Sequence, residues 1–157
     1  MRSIHAWARR KLAWLVDRFR IVVPVGACAA DATDSLGAAG ERLAERFLRR
    51  KRYRIVARRA RSQLGELDLV AVDGRVVVFI EVKTRRSQDG NPADAVDHAK
   101  QQRLTRAALG YLKRQGLLEY SARFDVVAVT WPADGASPIV EHVTNAFEPI
   151  GKGQMFS

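Results

Sequence analysis

A chain of 157 residues with 47% apolar and 28% charged residues is long enough to bury a core and too apolar to be wholly disordered. Its 27 Lys and Arg against 17 Asp and Glu give a net charge of +10, which favours a polyanionic partner, nucleic acid before an anionic membrane surface. The single cysteine excludes an internal disulfide, and no Cys/His spacing is typical of zinc. This composition indicates a reduced, cytoplasmic protein.

Residues 1–35 differ in pattern from the rest of the chain. Apolar side chains among arginines give an amphipathic helical stripe, and a short apolar run broken by Pro24 follows it. A signal peptide, a membrane span and a basic amphipathic helix with a linker are the three interpretations. The basic part is long and the apolar run is short, so we favour the third, without stable membrane insertion. We predict an extension and linker at 1–35, a domain at 36–150 and a tail at 151–157.

The remaining sequence predicts alternating helices and strands. We predict a helix at 38–51, a short strand at 53–56 within 53–59, and stronger strands at 65–72 and 75–83. A polar loop at 84–91, a helix from Pro92 to about Arg114, and strands at 123–131 and 139–144 follow, the last at an edge. Asn91 is the predicted N-cap of the second helix, and Asp73-Gly74 is the predicted two-residue hairpin loop. The order of helix, three strands, helix, strand, strand predicts an α/β fold with a mixed sheet flanked by helices.

The predicted hairpin brings four charged side chains together. With Asp73 and Gly74 as the loop, Asp68 faces Phe79 and Glu66 faces Glu81. Alternation then places Glu66, Asp68, Glu81 and Lys83 on one face, at the end away from the turn. Carboxylates repel one another and are costly to desolvate unless a cation neutralises them.

Two interpretations explain how the charge of these carboxylates is neutralised. Lys83 pairs with Glu81 in a surface salt-bridge network, or Asp68 and Glu81 hold Mg²⁺ (or Mn²⁺), which takes few carboxylates together with water and phosphate oxygens. In the second case Lys83 positions the attacking water and stabilises charge on a transferring phosphate. An Asp on one strand with a Glu-x-Lys on its hairpin partner is more specific than either motif alone. Glu66 stays open as a metal ligand, as a group that orients Lys83, or as a structural residue.

The motifs together resemble those of the YraN family, uncharacterised protein family 0102. The resemblance rests on Gly40-Glu41-x-x-Ala44, Gly65-Glu66-Leu67-Asp68-Leu69-Val70-Ala71 and Val78-Phe79-Ile80-Glu81-Val82-Lys83-Thr84-Arg85, with Arg123-Phe124-Asp125-Val126-Val127 later in the chain. It implies a restriction-endonuclease-like core, the superfamily with an Asp…(Asp/Glu)-x-Lys site, distantly similar to archaeal Holliday junction resolvases. Asp68, Glu81 and Lys83 match that catalytic site, and Glu41 matches the helix glutamate that completes it. The chain departs from the family pattern at 57–61, where an Asn is replaced, and in the extra residues 1–35.

A dense basic stretch is the second functional signal. Its arginines lack obvious acidic partners in the sequence, so we predict that they contact phosphates. The predicted nucleic-acid-binding residues are Arg49, Arg50, Arg52, Arg58, Arg59 and Arg61, with Arg85 near the site. Lys100 on the second helix is favoured as an ordinary exposed side chain over a site residue.

The residues and the resemblance together imply a Mg²⁺-dependent endonuclease that hydrolyses DNA phosphodiesters, at branched structures. The alternative is a non-catalytic nucleic-acid-binding module of the same fold. The sequence leaves open whether the partner is DNA or RNA, and whether the chain is a monomer or a homodimer.

Overall fold

The computed structural model of the protein describes residues 35–86, 96–133 and 136–151. In chain order the elements are α1 (Leu36–Arg50), β1 (Arg54–Ser62), β2 (Gly65–Asp73), β3 (Val76–Arg86), α2 (His98–Gln115), β4 (Ala122–Trp131) and β5 (Ile139–Phe147). This order confirms the predicted α/β class. Over the described ranges, neither helix has the length and hydrophobicity needed to cross a bilayer. The predicted segments 1–35 and 151–157 lie almost wholly outside these ranges, and the domain boundaries stay a prediction.

The strands form one mixed sheet in the order β1-β2-β3-β4-β5. β3 and β4 are parallel, and the other neighbouring pairs are antiparallel. A parallel pair needs a long crossover, and α2 lies in the connection that provides it. β5 is an edge strand, as predicted.

The two helices cover opposite faces of the sheet. On one face, Ala44 and Leu48 of α1 join a cluster of buried apolar strand residues that includes Val78 and Val127. On the other face the Tyr111 ring of α2 meets the Phe79 ring edge-on, with centroids 5.9 Å apart. The central strands are therefore apolar on both sides, as their sequences predict. Because Asp68, Glu81 and Lys83 alternate in step with Phe79 and its partner Val70, these three charged residues belong to the α2 face.

The predicted position of the hairpin loop is wrong by one residue. Asp73 pairs with Val76, so Gly74 and Arg75 form the loop, and Gly74 has φ +59° at the position where a type II′ turn needs it. Arg123 Nη2 donates to Asp73 Oδ2 at 3.0 Å, which holds Asp73 inside the ladder. Pairings shift by two positions: Val70, not Asp68, faces Phe79, and Glu81 no longer faces Glu66. A shift of two leaves every side chain on its predicted face.

Two further boundaries differ from the prediction. β3 continues to Arg86, in what was expected to be a polar loop, because it pairs with β4 as far as Trp131. The second helix begins at His98 rather than at Pro92. Asp97 is its N-cap and accepts the Lys100 N–H at 2.8 Å. Asn91 lies outside the described residues. Gly116 ends the helix in a left-handed conformation.

A buried polar cluster fixes β5 to β4. The fully buried Asp125 carboxylate accepts hydrogen bonds from Arg123, from His142 Nε2 at 2.9 Å and from the Asn145 N–H at 3.0 Å. Burial acts to raise the pKa of Asp125, but these hydrogen bonds outweigh it and lower that pKa. The charge is thus buried with its partners in place.

Close contact between α1 and β3 depends on Gly40. A Cβ atom at Gly40 would lie 3.0 Å from Thr84 Cβ and nearer still to Thr84 Oγ1. This contact sets the distance between the helix that carries Glu41 and the strand that carries Glu81 and Lys83.

Gly40→Ala should therefore lower the free energy of unfolding by about 1–3 kcal/mol, the usual range for overpacking. Urea unfolding followed by circular dichroism measures the change. Gly37→Ala is the matched control, because a Cβ at Gly37 meets only Ser35 Oγ at 4.0 Å, and alanine is the better helix former. Equal stability of the two variants would contradict the tight contact at Gly40.

Candidate functional site

Asp68 and Glu81 lie at the point where β2 and β3 stop pairing. The last paired residues are Leu69 and Ile80, and the register places Asp68 opposite Glu81 one step beyond. There the Asp68 side chain replaces the backbone ladder, since the Val82 N–H donates to Asp68 Oδ2 at 2.8 Å. This hydrogen bond fixes the Asp68 carboxylate against the strand that carries Glu81.

Glu81 is a buried carboxylate with two lysines around it. It is only 6% exposed, and Lys100 Nζ of α2 donates to its Oε1. Lys83 Nζ lies 4.0 Å from the same oxygen, at the limit of an ion pair. The predicted Glu81–Lys83 pair is therefore present, but Lys100 makes the closer contact.

Asp68 has a strongly perturbed pKa. Burial and repulsion from Glu81 raise it from 3.8 to about 6, with a further contribution from Glu41; the Val82 hydrogen bond and the Lys100 charge oppose this rise. Carboxylates whose charge is poorly compensated in the folded protein are typical of sites that bind cations or transfer protons.

Glu41 is linked to the carboxylate pair of Asp68 and Glu81 by Arg59. The guanidinium of Arg59 forms a two-point ion pair with Glu41, with Nε–Oε2 2.7 Å and Nη2–Oε1 3.3 Å. Arg59 stands opposite Asp68 in the β1–β2 register and has φ +42°, a left-handed conformation that non-glycine residues seldom adopt. The structure thus brings Glu41 within electrostatic range of Asp68, with Arg59 beside both.

Glu66 and Arg85 occupy the margins of the site. Glu66 is exposed and accepts from Arg61 Nε at 3.0 Å on the neighbouring strand. Of the roles left open for Glu66, this pairing favours the structural one. Arg85, two residues beyond Lys83 on the same face, donates to Thr130 Oγ1 of β4 at 3.1 Å.

The expectation that the basic stretch lacks acidic partners is wrong. Arg49 and Arg58 both pair with Glu45, Arg59 pairs with Glu41, and Arg61 pairs with Glu66. The packing of α1 against β1 brings Glu41 and Glu45 to Arg59 and Arg58, and the β1–β2 pairing brings Glu66 to Arg61. Arg50 and Arg52 are exposed at the end of α1 and just after it. Phosphate contact by the six arginines stays a prediction. An arginine that is paired with a carboxylate would have to bind a phosphate in addition to that carboxylate, or give up the ion pair.

Lys100 lies closer to the carboxylate pair than the sequence predicts. Its contact with Glu81 spans 19 positions and depends on how α2 docks on the sheet. The signal that could have pointed to it is its place in the first turn of α2, because that turn follows the connection from the strand that carries Glu81.

The site combines a carboxylate pair with ammonium groups at the rim of the sheet. Within residues 35–86, 96–133 and 136–151, no group of three or more His, Cys, Asp or Glu side chains is arranged to hold a metal. Asp68 and Glu81 are thus a two-carboxylate site, which suits an ion that keeps water and phosphate oxygens among its ligands.

A mixed five-stranded sheet between two helices, with an Asp and a Glu-x-Lys at one rim, defines an α/β protein with a charged site at a strand end. The chain belongs to Uncharacterised protein family UPF0102, whose sequence profile matches residues 40–129 and thus includes Glu41, Asp68, Glu81, Lys83 and Lys100.

Similar proteins come from several bacteria. A UPF0102 protein of Geobacter sulfurreducens is 51% identical over 114 residues, 72% of this chain and 88% of its own length. One from Rhodopirellula baltica is 48% identical over 125 residues, 77% of this chain and 75% of its own. One from Symbiobacterium thermophilum is 52% identical over 101 residues, 64% and 86% of the two chains.

Proposed function

We propose that this protein is a Mg²⁺-dependent endonuclease that hydrolyses phosphodiesters in DNA, at branched structures. The observation that carries the proposal is the carboxylate pair at the strand end. Asp68 and Glu81 repel each other strongly enough to help raise the Asp68 pKa to about 6, and Lys83 lies on the same face beside them. Branched DNA is proposed on the resemblance to Holliday junction resolvases, and cytoplasmic location on the single cysteine and the nucleic-acid partner.

The residues present fit a magnesium ion. Two carboxylates that repel each other gain from a divalent cation, and Mg²⁺ prefers one or two carboxylates with phosphate and water as its other ligands. Asp68 and Glu81 would hold it. When bound, it would supply a Lewis acid and lower the pKa of a water molecule.

The protein side chains supply the rest of the chemistry. Lys83 is 39% exposed at its side chain, so its ammonium is able to reach a bound phosphate while staying near Glu81. There it stabilises negative charge that develops on the phosphorus oxygens and orients the attacking water. Glu41, held by Arg59, adds negative charge that favours a cation at Asp68. Exposed arginines at the end of α1 grip the nucleic-acid backbone without reading bases.

One observation favours the second candidate, a binding module without catalysis. Lys100 already neutralises Glu81 without a metal, in the place that the salt-bridge interpretation gave to Lys83. The net charge of +10 would support nucleic-acid binding in either case.

Metal binding tests the proposal first. Asp68→Asn and Glu81→Gln should each weaken Mn²⁺ binding at least about tenfold by isothermal calorimetry, because each removes one anionic ligand. Glu119→Gln, an exposed carboxylate outside the site, is the control and should bind as the wild type does. Equal Mn²⁺ binding by all four proteins would place the metal elsewhere.

Cleavage tests the substrate. Duplex, single-stranded, flap and four-way-junction DNA are incubated with the protein and Mg²⁺, Mn²⁺ or EDTA. We expect metal-dependent cleavage of the branched substrates that Asp68→Asn abolishes. Binding to these substrates without cleavage in any metal would favour the binding module.

A further inference from the structure

The ammonium of Lys100 lies against the buried carboxylate of Glu81. It donates to Glu81 Oε1, whereas Lys83 Nζ is 4.0 Å from that oxygen. Glu81 is almost fully buried, and a buried carboxylate without a partner is costly. The charge of Lys100 is also felt at Asp68, which it stabilises in the ionised form. One ammonium therefore serves both carboxylates of the pair.

The backbone of Lys100 is fixed, but its side chain keeps freedom to move. Asp97 caps α2 and accepts the Lys100 N–H at 2.8 Å, and Gln101 Nε2 donates to the Val96 carbonyl at 2.7 Å. The Lys100 side chain is one-third exposed and ends in a point charge on a flexible four-carbon stem. Its ammonium is thus able to leave Glu81 for solvent without unwinding the helix.

We propose that Lys100 is a built-in substitute for the metal: it neutralises Glu81 in the metal-free protein and competes with the divalent cation for that carboxylate. This inference rests on the proposed function, because it needs Glu81 to be a metal ligand. A metal ion and an ammonium at one carboxylate oxygen repel each other, so binding of the metal requires the ammonium to withdraw. The released ammonium would then be free to pair with a phosphate of the nucleic acid, which would couple loading of the metal to substrate binding.

The competition predicts that loss of the charge tightens metal binding. Lys100→Ala and Lys100→Gln should each bind Mn²⁺ at least about fivefold more tightly than the wild type, the lower end of typical coupling between two ligands. Lys100→Gln keeps a hydrogen-bond donor for Glu81, so it serves if Lys100→Ala does not fold. Lys100→Arg keeps the charge and should bind no more tightly than the wild type. Lys113→Ala, an exposed lysine in the last turn of the same helix, is the control.

Thermal unfolding gives a second readout. Without metal, Lys100→Ala should melt below the wild type, because Glu81 loses its partner. Saturating Mn²⁺ should raise its melting temperature more than that of the wild type, because the metal then replaces the ammonium. If Lys100 had a purely structural role, Lys100→Ala would melt below the wild type by the same amount with and without Mn²⁺.

The outcomes separate the two proposals. If the wild type binds Mn²⁺ and the neutral variants bind it equally or more weakly, the competition is contradicted while the metal site stands. If neither the wild type nor any neutral variant binds Mn²⁺, both the metal site and the competition are contradicted. The competition is supported if Lys100→Ala and Lys100→Gln bind Mn²⁺ more tightly than the wild type and Lys100→Arg and Lys113→Ala do not.

Discussion

Lys83→Ala should lower the single-turnover rate of DNA cleavage at least about a hundredfold and leave DNA affinity nearly unchanged. The side chain lies beside the carboxylate pair and is partly exposed, so it is placed to stabilise charge that forms only in the transition state. Losing one preorganised electrostatic group has an effect of this size. Single-turnover assays at saturating protein separate this effect from binding.

Lys113→Ala is the control for Lys83→Ala and should cleave at the wild-type rate. Metal affinity in Lys83→Ala should persist or rise, because a nearby positive charge is gone. If Lys83→Ala cleaves as fast as the wild type, the role given to Lys83 is wrong. If both proteins are inactive on every substrate with similar affinities, the binding module is the better description.

Asp68→Asn should raise the free energy of unfolding at pH 7 by about 1–3 kcal/mol in metal-free buffer. The wild-type carboxylate must ionise in a buried place beside Glu81, and a raised pKa is the measure of that unfavourable interaction. Asparagine removes the charge and keeps an oxygen that accepts the Val82 N–H. Urea unfolding in the presence of EDTA measures the difference.

The pH dependence distinguishes this cause from a change in packing. The Asp68 pKa is 3.8 ordinarily and about 6 in the folded protein, so between these values the folded state holds more protons than the unfolded state. The contribution of Asp68 to wild-type stability therefore falls as pH rises through this window, and the advantage of Asp68→Asn should appear between about pH 4 and pH 6 and stay constant above it. Asp97→Asn, which keeps an N-cap, is the control and should change stability by less than about 1 kcal/mol. An Asp68→Asn advantage that is equal at pH 4 and pH 7 would contradict the electrostatic cause.

The order of elements could be predicted because hydrophobic periodicity is local. So could the shared face of Asp68, Glu81 and Lys83, since side chains alternate along strands whatever the exact register. The register itself could not, because Asp73 is held in the ladder by Arg123, which is 50 positions away. The length of β3 also depends on a distant partner, since Thr84 to Arg86 are paired by β4.

The sequence predicts that Lys83 lies beside the two carboxylates, but it does not predict the closer contacts made by Lys100 and Arg59. Asp68 and Glu81 follow from a hairpin, which is a local motif. Lys100 reaches Glu81 through the docking of a helix, and Arg59 reaches Glu41 through a left-handed backbone conformation. No spacing rule foresees either contact. The acidic partners of Arg58, Arg59 and Arg61 could not be predicted for the same reason, since they lie on other elements. The pair of Arg49 with Glu45 lies within α1 at i,i+4.

The cluster around Asp125 shows that the segment that matches the family is shorter than the segment that the fold needs. The family match ends at residue 129, yet β5 lies beyond it and supplies His142 and Asn145 to the buried carboxylate. A gene shortened to the matched segment would encode a charge in the interior without two of its partners, and a bare strand edge on β4 open to pairing with other chains. A protein shortened to residues 40–129 should therefore be prone to aggregate, so the segment that identifies the family is shorter than the segment that folds.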